Sequence, residues 1–170
     1  MGIFSGSPKD QPMHYGEVFS IWSFLLAAKG AVAGYQTHYN HAGDEDLKKM
    51  LEEAIRGSQD EIKQIETLLK MNGVGLPPAP PERPNARHED IPVGARFADQ
   101  EISAMLAGKI SAGLIACSTI MGQSIREDIA TMFGQFHMQK ASLGAKVLRL
   151  NKEKGWLILP PLHNYKSEDS

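Results

Sequence analysis

The stretch SIREDIATMFGQFHMQKASLGAKVLRLNKEKGWLILPP, residues 124–161, decides the fold. Ser124 and Glu127 form a Ser-x-x-Glu pattern that predicts a capped helix start. Gly155 can end this helix, and the two prolines that follow at 160 and 161 prevent it from resuming. Apolar side chains recur at spacings of three and four with one gap, which is typical of a helix that packs against other helices. They are Ile125, Ile129, Met132, Phe136, Leu143, Val147 and Leu150.

The same helix ending occurs once before in the chain. LKMNGVGLPP at 69–78 parallels LNKEKGWLILPP at 150–161, and LLAAKGAVAG at 25–34 aligns with MLAGKISAGL at 105–114. An internal repeat of this kind indicates two copies of one structural unit. Because each copy contains two helical patterns, the unit is a helical hairpin.

The periodicity predicts helices over about 14–42, 45–72, 98–122 and 124–154. The connection at 74–96 contains six prolines. Extended, it could reach roughly 75 Å, whereas a helix of this length is about 40 Å long. The chain is therefore predicted to be an all-α four-helix bundle, with two hairpins joined by a long crossover. That connectivity is found in ferritin-like bundles.

One domain over 14–161 accounts for most of the chain, with a mobile N-terminal arm at 1–13 and a C-terminal tail at 162–170. The 18 basic and 20 acidic residues give a net charge of −2, so no nucleic-acid partner is expected. The single cysteine, Cys117, points to a reducing compartment and to synthesis in the cytoplasm. The apolar run at 18–28 ends at Lys29 and is short for a bilayer, so no membrane partner is expected.

Ferritin-like bundles often hold two metal ions through a Glu-x-x-His motif on each of two helices. None of the six histidines has an acidic residue three positions before it, so no metal site and no cofactor are expected. His38 and His41 are weak metal candidates, because they share one helix face. Alternatively, both lie at a solvated helix end. No catalytic triad or phosphate-binding loop is found, which favours a non-enzymatic protein.

A polar residue interrupts each apolar stripe at about the middle of its helix. These positions are occupied by Lys29 on the first helix, Ser58 and Glu61 on the second, Lys109 on the third, and Gln139 with Lys140 on the fourth. One interpretation is a buried polar layer at the level of a lost metal site. In that case Glu61 is the best partner for an inward-pointing lysine. The other interpretation is that both lysines extend to the rim and cover apolar surface with their stems.

Three segments carry a resemblance to a known family: REDIATMFGQF at 126–136, AGKISAGL at 107–114 and GWLILPP at 155–161. The chain resembles the ferritin-like proteins of spore-forming bacteria related to spore coat protein F. The resemblance implies a ferritin-like bundle and a structural role in the spore coat, and it implies no known reaction. Many members hold two bundles in tandem, so this chain, with one, is expected to form a homodimer.

Two functions follow as hypotheses. The first is a structural or assembly protein that associates with itself and with other spore coat proteins. The alternative is a ferritin-like bundle with a degenerate metal site that binds a metal or a small ligand. The apolar tail after Gly155, beginning with Trp156, either folds back over the end of the bundle or docks on a partner. Small residues on two helices favour close helix contacts, within the bundle or in the dimer. They are Gly30, Ala31 and Gly34 on the first helix and Gly108, Ala112, Gly113 and Ala116 on the third.

Overall fold

A computed structural model describes residues 6–163, and this part of the chain forms four long helices and no strand. The helices are α1 (Tyr15–His41), α2 (Glu45–Met71), α3 (Asp99–Gln123) and α4 (Glu127–Glu153). Short 3-10 turns lie at Pro8–Asp10, His88–Asp90 and Val93–Ala95. The predicted all-α four-helix bundle is confirmed.

Helix starts and stops follow local chemistry. Asp44 caps α2 by accepting hydrogen bonds from the N–H groups of Asp46 and Leu47. Gly73 and Gly155 adopt φ values of 71° and 70°, a left-handed conformation that costs glycine little. The two similar helix endings that the repeat predicted are therefore present, at the ends of α2 and α4.

The predicted capping box at the start of α4 is wrong. Ser124 ends α3 instead, and its hydroxyl donates a hydrogen bond to the carbonyl oxygen of Ile120. Helix α4 begins at Glu127. The residue before it, Arg126, makes no capping hydrogen bond with its side chain. The first N–H groups of this region are satisfied from another helix, because Glu17 Oε1 accepts from Ile125 and Arg126.

Contacts at the two ends of the bundle fix its topology. At one end, His14 Nε2 donates to the carbonyl oxygen of Gln123, which places the start of α1 beside the end of α3. At the other end, the Gly43 N–H donates to Asp99 Oδ1. Helix α3 therefore runs antiparallel to α1 and parallel to α2. Helix α1 packs against α2 and α3, and α4 packs against α3 and α2.

The long connection at 72–98 lies along the outside of α1. Trp22 Nε1 donates to the Gly75 carbonyl oxygen, and further along Asn40 Nδ2 donates to that of Pro84. The Nδ1–H of His88 donates to the His41 carbonyl oxygen where α1 ends. The connection thus crosses from one end of the bundle to the other, as its length predicted.

The core consists of two apolar clusters. The first lies at the end of the bundle where α1 begins and the second at the end where α3 begins, and between them lies a polar level built around Glu61. The first cluster includes Ile21, Phe24, Leu25, Ile65, Leu69, Cys117, Ile129, Phe133 and Phe136. The second includes Tyr35, Leu47, Leu51, Ile102, Leu106, Leu143, Val147 and Leu150.

The predicted mobile arm is wrong for its last residues. Met13 packs against the first core cluster, and the carbonyl oxygen of Gln11 accepts a hydrogen bond from Arg126 Nη1. Residues 1–5 of the predicted arm and residues 164–170 of the predicted tail lie outside the described residues.

Candidate functional site

A buried ion pair crosses the polar level between α2 and α4. Glu61 is 3% exposed, and Lys140 Nζ lies 2.6 and 2.8 Å from its two carboxylate oxygens. A Cβ added to Gly113 on α3 would meet Lys140 Cδ at 2.9 Å, so this glycine makes room for the lysine stem. The ammonium also lies 5.6 Å from the centre of the Phe24 ring, within cation–π range.

Burial dominates the electrostatics of this level. It raises the pKa of Glu61, and the neighbouring Lys140 opposes the rise. Burial, together with the charge of Glu61, raises the pKa of Tyr35 to about 12. Burial also raises the pKa of Cys117 to about 11. Cys117 is thus a protonated core residue at neutral pH and a poor nucleophile, in keeping with its predicted place in the core.

Two cavities open onto the polar level from opposite sides of the bundle. One of about 230 Å³ lies on the α2–α4 side, and one of about 420 Å³ lies on the α1–α3 side. Both are lined by the same polar residues: Tyr35, Ser58, Glu61, Lys109 and Lys140. Within residues 6–163, the hydroxyls of Tyr35 and Ser58 have no hydrogen-bond partner, although the residues are only 6% and 8% exposed.

The predicted partner of Glu61 is wrong, because neither Lys29 nor Lys109 reaches it. Lys29 Nζ lies 2.8 Å from Glu66 Oε1 and donates to the Pro77 carbonyl oxygen, so this lysine is held between α1, α2 and the crossover. Its side chain is buried, but away from the centre of the bundle. Lys109 is exposed and lines both cavities.

Gln139 is also misplaced in the predicted layer, since it is exposed and lines only the α2–α4 cavity and a shallow surface depression. Lys140 takes its place. The spacing of the sequence carried the signal for Lys140. If Phe133 is taken in place of Met132 and Lys140 is placed in the gap, the inward-facing positions of α4 recur at alternating steps of four and three. They are Ile129, Phe133, Phe136, Lys140, Leu143, Val147 and Leu150.

The two histidine candidates lie in different surroundings. His38 is buried, and its Nδ1 has no hydrogen-bond partner among the described residues, so its predicted position at a solvated helix end is wrong. His41 Nδ1 accepts the N–H of Phe97, whose ring contacts both imidazoles. From residue 6 to residue 163, no three histidine, cysteine or acidic side chains are grouped as a metal site would require.

A second polar cluster joins three parts of the chain at one end of the bundle. Arg126 is almost fully buried; its guanidinium pairs with both oxygens of Asp128 and also donates to Asn72 Oδ1 and to the Gln11 carbonyl oxygen. The Arg126 guanidinium lowers the pKa of Asp128. The residues of this cluster contact one another and join the start of α4 to the end of α2 and to the N-terminal segment.

Helices α1 and α3 are more apolar than their packing requires. Residues 15–41 and 93–123 reach mean hydropathies of 1.4 and 1.5 over 18 residues, so both segments are long and apolar enough to cross a membrane by length and composition. Core helices of soluble proteins pass the same test, but here only 39% and 22% of those windows are buried. Among the small residues of these helices, Gly30, Gly108 and Ala112 are exposed, whereas Ala31 and Ala116 pack against the core clusters.

Comparison with known proteins gives whole-chain matches. Residues 1–168 match the family described as "Protein of unknown function (DUF3231)". The "Uncharacterized protein YvdQ" of Bacillus subtilis (strain 168) is 61% identical over 170 residues, which is all of both chains. The crystal structure of a "putative spore coat protein" from Bacillus halodurans C-125 matches with a TM-score of 0.92 at 60% identity, over 94% of this chain and 100% of that one. The chain belongs to the DUF3231 family.

Proposed function

We propose that this protein is a non-enzymatic structural component of the spore coat, built on a ferritin-like bundle. The observation that carries the proposal is the match along nearly the whole chain to a structure described as a "putative spore coat protein". At 60% identity such a match extends well beyond the fold. The ferritin-like assignment rests on the long crossover and on the parallel course of α2 and α3.

The centre of the bundle supports a structural role. Ferritin-like enzymes place carboxylate ligands for metal at this level. Here the Glu61 carboxylate is engaged by Lys140 of the same chain. The pair joins α2 to α4 without any external group, and the nearby thiol of Cys117 is held protonated.

The C-terminal segment is the proposed assembly surface. Trp156 packs against the second core cluster, and its carbonyl oxygen accepts a hydrogen bond from Gln100, so the segment is anchored to the end of the bundle. The residues after it turn outward, and we name Ile158, Leu159 and Leu162 the apolar strip. Their exposed fractions are 82%, 62% and 67%. An exposed apolar strip on an anchored segment fits a contact with a second copy or another coat protein.

A fluorescent fusion expressed from the yvdQ locus of sporulating Bacillus subtilis, in place of YvdQ, tests the proposal. The expected result is fluorescence around the developing spore that persists in purified spores and is extracted with coat proteins. A fusion carrying Ile158→Asp and Leu159→Asp should accumulate equally but remain diffuse. Uniform fluorescence of vegetative cytoplasm with none in spores would refute a coat role.

A further inference from the structure

We propose that the cavity on the α1–α3 side of the bundle binds a medium-chain fatty acid. Its carboxylate lies beside Lys109 and Tyr35, and its chain lies along the small side chains of α1 and α3. This binding site is separate from the apolar strip, so the inference goes beyond the proposed structural role.

The charged side chains that line the cavity call for one anion. Glu61 and Lys140 neutralise each other at hydrogen-bond distance. Lys109 lines the same cavity and has no ion-pair partner among residues 6–163. The charged groups of the lining therefore sum to one positive charge, which a single carboxylate would balance.

Hydrogen-bond donors at the same level fit a carboxylate. The hydroxyls of Tyr35 and Ser58 line the cavity, and the described part of the chain offers neither of them a partner. With a pKa of about 12, Tyr35 remains a donor at neutral pH. Two hydroxyls and one ammonium together match the acceptor oxygens of a carboxylate.

The rest of the cavity is apolar and lined by small side chains. Ala27 and Ala31 of α1 face Ala112 and Ala116 of α3, with Phe24 and Ile120 on the walls. The volume of about 420 Å³ lies in the range of small-molecule sites, roughly 300–1,000 Å³. Because no neighbouring helix among the described residues fills the space beside these small residues, they leave a groove in which an extended acyl chain can lie.

The unpaired lysine also distinguishes a fatty acid from other occupants of an apolar groove. A second copy placed face to face would bury Lys109 with no unpaired acid opposite it, because the only acid among the described residues that line the groove, Glu61, is engaged by Lys140. Burying an unpaired charge is costly. A fatty acid covers the apolar walls and supplies the missing negative charge in one molecule. The observations therefore favour a free fatty acid over a copy of this chain or a bilayer.

Calorimetric titration of the full chain with decanoate, and with decanol as the ligand lacking the carboxylate, tests the site. We expect one decanoate per chain. Lys109→Met should weaken decanoate binding at least about tenfold and leave decanol binding within about twofold. Ala112→Phe should weaken both ligands at least about tenfold by filling the groove. Lys152→Met, a change at an exposed lysine of α4 that does not line the cavity, should change the binding of neither ligand.

Several outcomes would overturn the inference. Decanoate binding that does not saturate, or that Lys109→Met leaves unchanged, would show that the ammonium recognises no carboxylate. If Ala112→Phe halves the mass in light scattering and decanoate does not bind, the groove holds a second copy. If the protein binds phosphatidylglycerol vesicles but not free decanoate, the groove faces a membrane. None of these outcomes bears on localisation in spores, so the coat role is tested separately.

Discussion

The carboxylate of Glu61 is stable inside the bundle only because Lys140 accompanies it. Removing two charges from water costs several kcal/mol per ion, and the mutual attraction of the pair roughly repays that cost. Such a pair adds little net stability over an apolar pair of the same shape, but removing one partner leaves the other buried and alone. Lys140 is 17% exposed along its side chain and can extend to water, whereas Glu61 cannot.

Lys140→Met should therefore destabilise the fold by about 3–5 kcal/mol, because it strands the buried carboxylate. The double variant Lys140→Met, Glu61→Leu should recover most of that loss, giving a coupling energy above about 1 kcal/mol. Urea melts of Lys140→Met, Glu61→Leu and the double variant measure this double-mutant cycle. Lys152→Met, the exposed control, should change the free energy of unfolding by under about 0.5 kcal/mol. Additive effects in the cycle would contradict the ion pair.

The stranded carboxylate should also change how stability depends on pH. Without Lys140 only burial acts on Glu61, and burial raises its pKa above the ordinary 4.5. The folded state then holds the proton more tightly than the unfolded state. The free energy of unfolding must fall as pH rises from about 4.5 through the raised pKa. Lys140→Met should thus be more stable near pH 5 than near pH 8.

The pH effect is measured by urea melts of Lys140→Met and of Lys140→Met, Glu61→Gln at several pH values. The second variant lacks the titrating group, so the difference between the two isolates Glu61. A difference that stays constant from about pH 5 to about pH 8 would mean that the carboxylate does not titrate in this range.

At the scale of elements, the turn between α3 and α4 depends on groups from elsewhere in the chain. Glu17 of α1 accepts the N–H groups of Ile125 and Arg126, and also the N–H of His14, so it serves the starts of two helices. The Arg126 side chain then ties the turn to the end of α2 and to the N-terminal arm. One arginine and one glutamate thereby fix how the second hairpin meets the first.

Arg126→Met should destabilise the bundle by about 2–4 kcal/mol, since it leaves Asp128 unpaired and removes a buried hydrogen bond to Asn72. The free energy of unfolding of Arg126→Lys should lie between those of Arg126→Met and the wild type, because an ammonium keeps the charge but cannot make all the hydrogen bonds of the guanidinium. Arg149→Met changes an exposed arginine within α4; it is the control and should lower the free energy of unfolding by under about 0.5 kcal/mol. Equal free energies of unfolding for Arg126→Met and Arg149→Met would contradict the proposed role of Arg126 in holding the two hairpins together.

Features set by neighbours along the chain could be predicted from the sequence, and features set by distant groups could not. The two helix endings follow from Gly73 and Gly155, and the crossover follows from its length and prolines. The capping of α4 escaped prediction because Glu17 lies 108 residues from Ile125. Glu61 was expected to pair with Lys29 or Lys109, but it pairs with Lys140, which lies in the gap of the α4 stripe beside Gln139. The pattern could not show which of these two residues faces inward, since Gln139 and Lys140 point about 100° apart on a helix.

At the scale of the whole molecule, two of the apolar surfaces left outside the core differ in charge. One is the groove between α1 and α3, whose lining includes Lys109, Lys140 and Glu61. The other is the apolar strip of Ile158, Leu159 and Leu162, which has no charged residue between Trp156 and Leu162. A surface without charge can meet an identical copy of itself at little electrostatic cost, so the strip suits a two-fold contact better than the groove does.

We therefore expect a dimer in solution that forms through the apolar strip. Ile158→Asp with Leu159→Asp should weaken self-association by about 30-fold or more, because each removes a central apolar contact and buries a charge. Light scattering at tens of micromolar measures the mass. Ile115→Asp is the matched control: Ile115 is equally exposed, at 67%, but lies on α3. A wild-type monomer, or a dimer that only Ile115→Asp dissociates, would refute assembly through the strip.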